Sequence, residues 1–333
     1  MIEILLKEWI EQVKYYIHLI ADYSIKESQV GAVLDDVLNL SGKMLRSKLL
    51  LLCAFLGSNW KNNKEKICKL AAMVELTHLA SLIHDDIVDD SPYRRGKVSV
   101  QGKYGKDAAV FAGDFLIARI FYYGAVENLN EAVSILSKTV EYMCIGEIEQ
   151  DLCRYQEDIS EKKYFENIER KTAALFQAAS YIGAKEAGCS EKIIQKLGLF
   201  VKNLGLMFQL KDDILDFTSN SKELGKETHK DFQNGIYTFP VIMALKNLKA
   251  KEVLLPIMRK NKEEKLSLAE ILQLQNYIIQ FGGIEASYEK IKYLSNINRQ
   301  LIKELGQNSK ITVYLEKILN DLEVENWKII NSP

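Results

Sequence analysis

The five-residue pattern DDxxD occurs twice in this chain, as Asp85-Asp86-Ile87-Val88-Asp89 and as Asp212-Asp213-Ile214-Leu215-Asp216. On a helix, which turns about 100° per residue, positions i, i+1 and i+4 fall towards one side, so each copy is expected to present its carboxylates in one direction. The stretches that lead into them, residues 66–84 and 193–210, are apolar on most sides, the composition of helices buried in a larger core. Carboxylates that continue such helices must be protonated at a cost or neutralised by a partner. A hard cation is a suitable partner, and magnesium takes one or two carboxylates together with substrate phosphate oxygens. Two facing clusters therefore point to metal ions that bridge the protein to a phosphorylated ligand. The competing reading is a solvated acidic face, the ordinary fate of a charge run.

Cations that would complete such a site are scattered along the chain. Lys43 and Arg46 stand three apart at the start of an apolar helix, where free N–H groups and the helix dipole favour an anion; a solvated pair is the plainer alternative. Arg94 and Arg95 follow Pro92 in a loop closed by Gly96, and they serve either to neutralise the neighbouring carboxylates or to clamp a diphosphate. His78 lies seven residues before Asp85, two helical turns away on the same face, with the small Ala80 and Ser81 between them. Gly113-Asp114 falls mid-helix, and Gly146-Glu147-Ile148-Glu149-Gln150-Asp151 interrupts an apolar face. Lys171-Thr172 is followed by two alanines that permit close approach. Phe208-Gln209 precedes the second acidic cluster, and the polar segment 218–239, with Gly225-Lys226 and Asp231, reads as a functional loop or lid.

The elements that position these groups are helices. Four prolines in 333 residues, only one of them before residue 240, permit long uninterrupted helices. Residues 1–40 show apolar positions at three- and four-residue steps (Ile4, Leu5, Trp9, Val13, Ile17, Ile20), a packing face that would also serve as an interface in a homo-oligomer. Further helices are expected over 131–158 and from 164 onward. Ser267-Leu268-Ala269-Glu270 fits a capping box, Gly282-Gly283 a helix stop, and Ile284, Tyr288, Ile291, Leu294, Ile297, Leu301 and Leu305 form an apolar stripe. No composition shift marks a boundary and no strand alternation stands out, so an all-α fold in a single domain over 1–333 is expected.

A net charge of −1 gives no support for a nucleic-acid binder. The five cysteines form no CxxC pair and read as buried thiols of a reducing compartment rather than zinc ligands. Acidic residues come early in the N-terminal stretch, which is not built like a secretory signal, and strictly apolar runs such as Leu49–Leu56 are far shorter than a membrane span. A soluble cytoplasmic protein without a membrane span is the expectation.

Taken in order, GKxxR, DDxxD with RRG, GD, GE, KT, FQxxDDxxD and GK…D…G…TxP resemble the trans-polyprenyl diphosphate synthases across residues 42–240. The resemblance implies an isoprenoid-synthase-type bundle of about ten or more helices around a deep central cavity, usually a homodimer. It implies head-to-tail condensation of isopentenyl diphosphate with an allylic diphosphate, releasing diphosphate. It also implies that Asp85, Asp89 and Asp212 hold three magnesium ions, supported by Asp86, Asp213 and Asp216. Arg94, Lys171 and Lys226 match the family's cations on the allylic diphosphate; Lys43, Arg46, His78 and Arg95 match the isopentenyl diphosphate site. Thr172 and Gln209 match the groups that stabilise the allylic cation. Ala80 stands where short-chain members often carry an aromatic floor, so with Ser81 it implies a medium or long product of the heptaprenyl or octaprenyl kind. Ser41, Met44 and Ser47 depart from the family's GGKRxRP pattern, and Ile236 replaces a frequent lysine; weaker substrate binding at most is expected. The complete DDILD motif argues against a terpene cyclase, and two intact aspartate clusters argue against a non-catalytic partner subunit.

Overall fold

A computed structural model describes residues 2–22, 28–39, 42–94, 96–218, 230–306 and 310–323. They fall into two compact units, Met1–Glu141 with Leu175–Leu199 and Tyr142–Ala174 with Phe200–Pro333. As expected, the architecture is helical.

The first unit is organised by α4 (Lys64–Val88), against which α1 (Ile2–Ile20), α3 (Leu45–Ala54) and α6 (Lys106–Val126) pack. α4 has no exposed face through its middle: every residue from Leu70 to Thr77 is buried, including Glu75 and Thr77, which have hydrogen-bond partners. Its last turns emerge from that core carrying the first acidic cluster. α1 buries Trp9, Val13, Ile17 and Ile20, while Ile4 is exposed, so the amphipathic face read from the sequence is mainly packing. α2 (Gln29–Leu38) and the short α5 (Val100–Tyr104) start under serine caps, Ser28 and Ser99.

One minimal hairpin interrupts the helices. Tyr93–Arg94 and Lys97–Val98 pair as a two-stranded antiparallel hairpin (β1, β2), with Gly96 at φ 76°. Two residues per strand are too few to show alternation, and the glycine supplies the left-handed turn.

The second unit begins within α7 (Asn130–Leu152), which stops six residues before the expected end. Tyr155, at φ 59°, takes the chain out of the helix, and its N–H donates to the Gly235 carbonyl. α8 (Glu161–Ile168) starts under the Ser160 cap and runs into a π-helical turn, Glu169–Ala173. α9 (Ala174–Glu186), from Leu175 on, and the start of α10 (Glu191–Thr218) belong to the first unit, and the rest of α10, from Phe200, carries the second acidic cluster at its end. The polar segment 218–239 is not wholly loop: α11 (Lys230–Gln233) buries Phe232. α12 (Phe239–Ala244), α13 (Leu248–Glu263), α14 (Leu268–Gln280), α15 (Gly283–Glu304) and α16 (Lys310–Leu322) complete the unit. The Ser267–Glu270 capping box forms, and Gly282 adopts the left-handed conformation of the helix stop. Buried Asn203 donates to Asn298 at 2.9 Å, and Asn298 to the Phe200 carbonyl at 3.0 Å, tying α10 to α15 through a satisfied polar contact.

Among the described residues, two helices, Lys64–Val88 and Lys106–Val126, are long and apolar enough to cross a membrane, a length that the strictly apolar runs in the sequence do not reveal. Most of the apolar window of the first is buried inside the protein.

Candidate active site

The first cluster is split by its own helix. Asp85 and Asp89, four apart, lie one above the other and are both half-buried, whereas Asp86, turned about 100° from Asp85, is buried. The Arg94 Nε donates to both Asp86 oxygens at 2.8 Å, and its Nη2 lies 2.8 Å from Oδ1. The Gln101 side chain donates to the Asp86 carbonyl and so ties the helix end to α5. The expectation of three carboxylates facing one way is therefore corrected: the first and last face outward, while the middle one is taken up by the hairpin arginine.

His78, half-buried, sits two turns above Asp85. Ser81, also half-buried, returns its hydroxyl to the His78 carbonyl at 2.8 Å, and Ala80 is fully buried. The Gly113-Asp114 pair now has a local explanation. A Cβ at Gly113 would stand 2.3 Å from the His84 ring, so only glycine lets that ring lie against α6. Asp114 is then 3.4 Å from the same imidazole.

Ahead of α3, Lys43 is exposed and Met44 takes φ 51°, turning the chain into the helix. The Arg46 guanidinium lies 4.5 Å over the Phe176 ring. Ser47, where the family pattern has proline, shares its one hydroxyl proton between Glu75 at 2.8 Å and the Ala71 carbonyl at 3.1 Å, giving a buried carboxylate a partner.

In the second unit the π-turn carries Lys171 and Thr172. π-turns are rare and concentrate at functional sites. Two glycines make room for this one: a Cβ on Gly146 would come within 2.9 Å of the Arg170 Cβ, and one on Gly205 within 2.8 Å of the Ala173 Cα. The polar interruption in α7 supplies its ion pairs. Glu147 accepts from Lys171 at 3.0 Å, and Glu149 accepts from Lys163 at 2.8 Å and from Arg170. Lys163, ahead of Arg170, holds the Glu149 carboxyl below the usual carboxylate range.

The second cluster repeats the division of the first with different chemistry. Asp212 is exposed and Asp216 half-buried, while Asp213 is only 1% exposed. The Tyr164 phenol donates to Asp213 Oδ2 at 2.5 Å and the Gln209 amide to Oδ1 at 2.9 Å. Thr172 in turn donates to Gln209 Oε1 at 2.9 Å. Burial pushes the Asp213 carboxyl up, to about 8; the Tyr164 and Gln209 hydrogen bonds oppose that rise, and Asp231 and Asp212 add to it. Burial raises the Tyr164 hydroxyl as well.

Arg95 and Lys226 lie outside the described residues. Tyr164 and Glu147 have clear structural roles that the sequence reading did not assign. For Glu147 the signal was a charged interruption of an apolar face; for Tyr164 it was only a hydroxyl seven residues before Lys171.

The donor set suits a hard cation: each cluster supplies carboxylate oxygens from its first and last aspartates. Among the described residues, no three histidine, cysteine, aspartate or glutamate side chains gather into a closed metal cage. Magnesium commonly binds one or two carboxylates and completes its octahedron with phosphate oxygens and water, so the outer pairs fit it.

Residues 27–275 match the family model described as polyprenyl synthetase. The chain belongs to the polyprenyl synthetase family. Among its relatives, a protein of Geobacillus stearothermophilus named heptaprenyl diphosphate synthase component 2 is 34% identical over 79% of this chain and 80% of its own length. A polyprenyl synthase from Caulobacter crescentus CB15, crystallised with calcium and isoprenyl diphosphate, is 29% identical with a TM-score of 0.85, covering 96% of this chain and 95% of its own. A decaprenyl diphosphate synthase from Rhodobacter capsulatus is 26% identical with a TM-score of 0.84, covering 98% of each chain. The expected helical synthase fold and prenyltransferase family are thus met. The acidic repeats described above lie within the matched residues.

Proposed function

We propose that this chain is a magnesium-dependent trans-prenyltransferase that condenses isopentenyl diphosphate with farnesyl or geranylgeranyl diphosphate to give a medium- or long-chain polyprenyl diphosphate. The observation that carries the metal reading is the shared division of the two acidic repeats, in which the middle aspartate is buried against a hydrogen-bond donor and the flanking ones are less buried, with Asp212 exposed.

Asp85, Asp89 and Asp212 bind magnesium on the allylic diphosphate, with Asp216 in support. When bound, magnesium supplies Lewis-acid stabilisation of the charge that develops on the leaving diphosphate. Lys171, held at the π-turn by Glu147, adds a cationic donor to that diphosphate, and Lys226 a second. Lys43, Arg46, His78 and Arg95 receive the isopentenyl diphosphate. The Gln209 carbonyl and the Thr172 hydroxyl direct their oxygen dipoles at the allylic cation, and apolar helix walls keep water away from it. In the family the departing diphosphate is thought to remove the last proton, and no side chain here is assigned that task. Asp86 and Arg94 pair with each other at the helix end, and Arg94 stands where the family places a cation on the allylic diphosphate.

Purified chain with magnesium, labelled isopentenyl diphosphate and either primer should give a ladder that ends at one long prenyl product. Release of diphosphate with a hydrocarbon or alcohol would instead indicate a cyclase. Product length is assigned to the small residues before the first cluster: Ala80→Tyr should shorten the product by several prenyl units, read by chromatography. An unchanged product would remove position 80 from the account.

A homodimer is the assembly proposed from the family resemblance. The relatives named component 2 favour a second assembly, a heteromer with a different chain. Elongation by the purified chain alone supports the first; activity that appears only on mixing with a partner supports the second.

A further inference from the structure

Tyr164, Asp213, Gln209 and Thr172 form a continuous hydrogen-bonded series across α8, α10 and the π-turn. Its direction is fixed at the amide. The nitrogen of a carboxamide can only donate and its oxygen only accept, so with Nε2 on Asp213 the carbonyl must face the Thr172 hydroxyl. With Asp213 as a carboxylate, a flipped amide would set its carbonyl oxygen against a carboxylate oxygen, a repulsion that the present orientation avoids. Asp213 therefore determines which end of Gln209 faces Thr172.

Asp213 is held in turn by Tyr164. The phenol is 6% exposed, and its ring packs on Phe165 and Phe239, with centroids 5.1 and 5.5 Å away. That packing fixes the ring and leaves the hydroxyl one task, the 2.5 Å contact to Asp213. Linked donors and acceptors in a buried site polarise one another, so the first donor in the series affects the last.

We infer that Tyr164 is a positioning residue: through Asp213 it holds the Gln209 carboxamide with its carbonyl turned to Thr172, in the orientation that the synthase reaction uses. The inference rests on the proposed role of Gln209 and Thr172 as the dipoles facing the allylic cation.

Tyr164→Phe keeps the ring and removes only the hydroxyl. It should lower kcat about ten-fold, the effect of losing one hydrogen bond's worth of preorganisation. The KM for isopentenyl diphosphate and the magnesium concentration for half-maximal rate should stay within about two-fold, because no ligand-binding group has been touched. A structural readout needs no turnover: with ¹⁵N-glutamine labelling, the Gln209 side-chain amide, assigned by its loss in Gln209→Leu, should exchange slowly with solvent in the parent and faster in Tyr164→Phe. Asp213→Asn should have the same effect on exchange and on kcat. Unchanged kcat in Tyr164→Phe would overturn the positioning role. A large shift in the magnesium midpoint in Asp213→Asn would overturn it as well, by making Asp213 a metal ligand. Were the parent unable to elongate any primer, the synthase reading would fall, while the amide exchange would still report on the relay.

Discussion

Replacing Asp85 or Asp89 with asparagine is expected to lower kcat about 10³-fold, while replacing Asp86 is expected to act mainly on stability. The two effects separate because the helix separates the side chains. Asp85 and Asp89 occupy the i and i+4 positions and are half-buried; Asp86 is buried and both its oxygens accept from Arg94. An asparagine keeps the shape but loses the charge that offsets magnesium and diphosphate. Losing electrostatic stabilisation of a leaving group in a water-poor site costs up to about 4 kcal/mol of barrier, which corresponds to the predicted factor. Steady-state kinetics over a magnesium titration checks it: both outer substitutions should raise the metal requirement, and neither should change the far-ultraviolet spectrum.

Arg94→Ala is expected to destabilise the protein by about 3 kcal/mol, because it leaves Asp86 as a nearly buried charge without its guanidinium. The pairing, not the arginine, is what the fold needs. A double substitution, Asp86→Leu with Arg94→Leu, should recover most of the loss, since a well-packed apolar pair often matches a buried ion pair. Urea unfolding of the two single variants and the double variant gives the coupling directly. If Arg94 instead acted mainly on diphosphate, Arg94→Ala would unfold near the parent's midpoint and raise the KM for the allylic substrate.

These contrasts bear on what was legible in the sequence. DDxxD and its flanking apolar helices are local patterns, so both clusters and the long helices that carry them could be read directly. The Ser267 capping box and the Gly282 stop are equally local, and both form. The inward turn of Asp86 and Asp213 was not legible, although the 100° step hinted at it. Which aspartate is neutralised depends on an arginine in a hairpin too short to signal itself, and on a tyrosine 49 residues away in the chain. The π-turn at Glu169–Ala173 has no sequence code of its own. It depends on Gly146 and Gly205, and their closeness to it is a tertiary fact. The charged interruption of α7 was visible, but its partners Lys171 and Arg170 were not.

The central claim, that the outer aspartates hold metal on diphosphate while the inner ones serve the fold, is tested most directly by counting bound manganese. Electron paramagnetic resonance would follow free Mn²⁺ in the presence of a non-reactive thio analogue of the allylic diphosphate. The account predicts analogue-dependent binding that is lost in Asp85→Asn, Asp89→Asn and Asp212→Asn and retained in Asp213→Asn and Asp86→Asn. Binding that survives the outer substitutions, or disappears with Asp213→Asn alone, would contradict it.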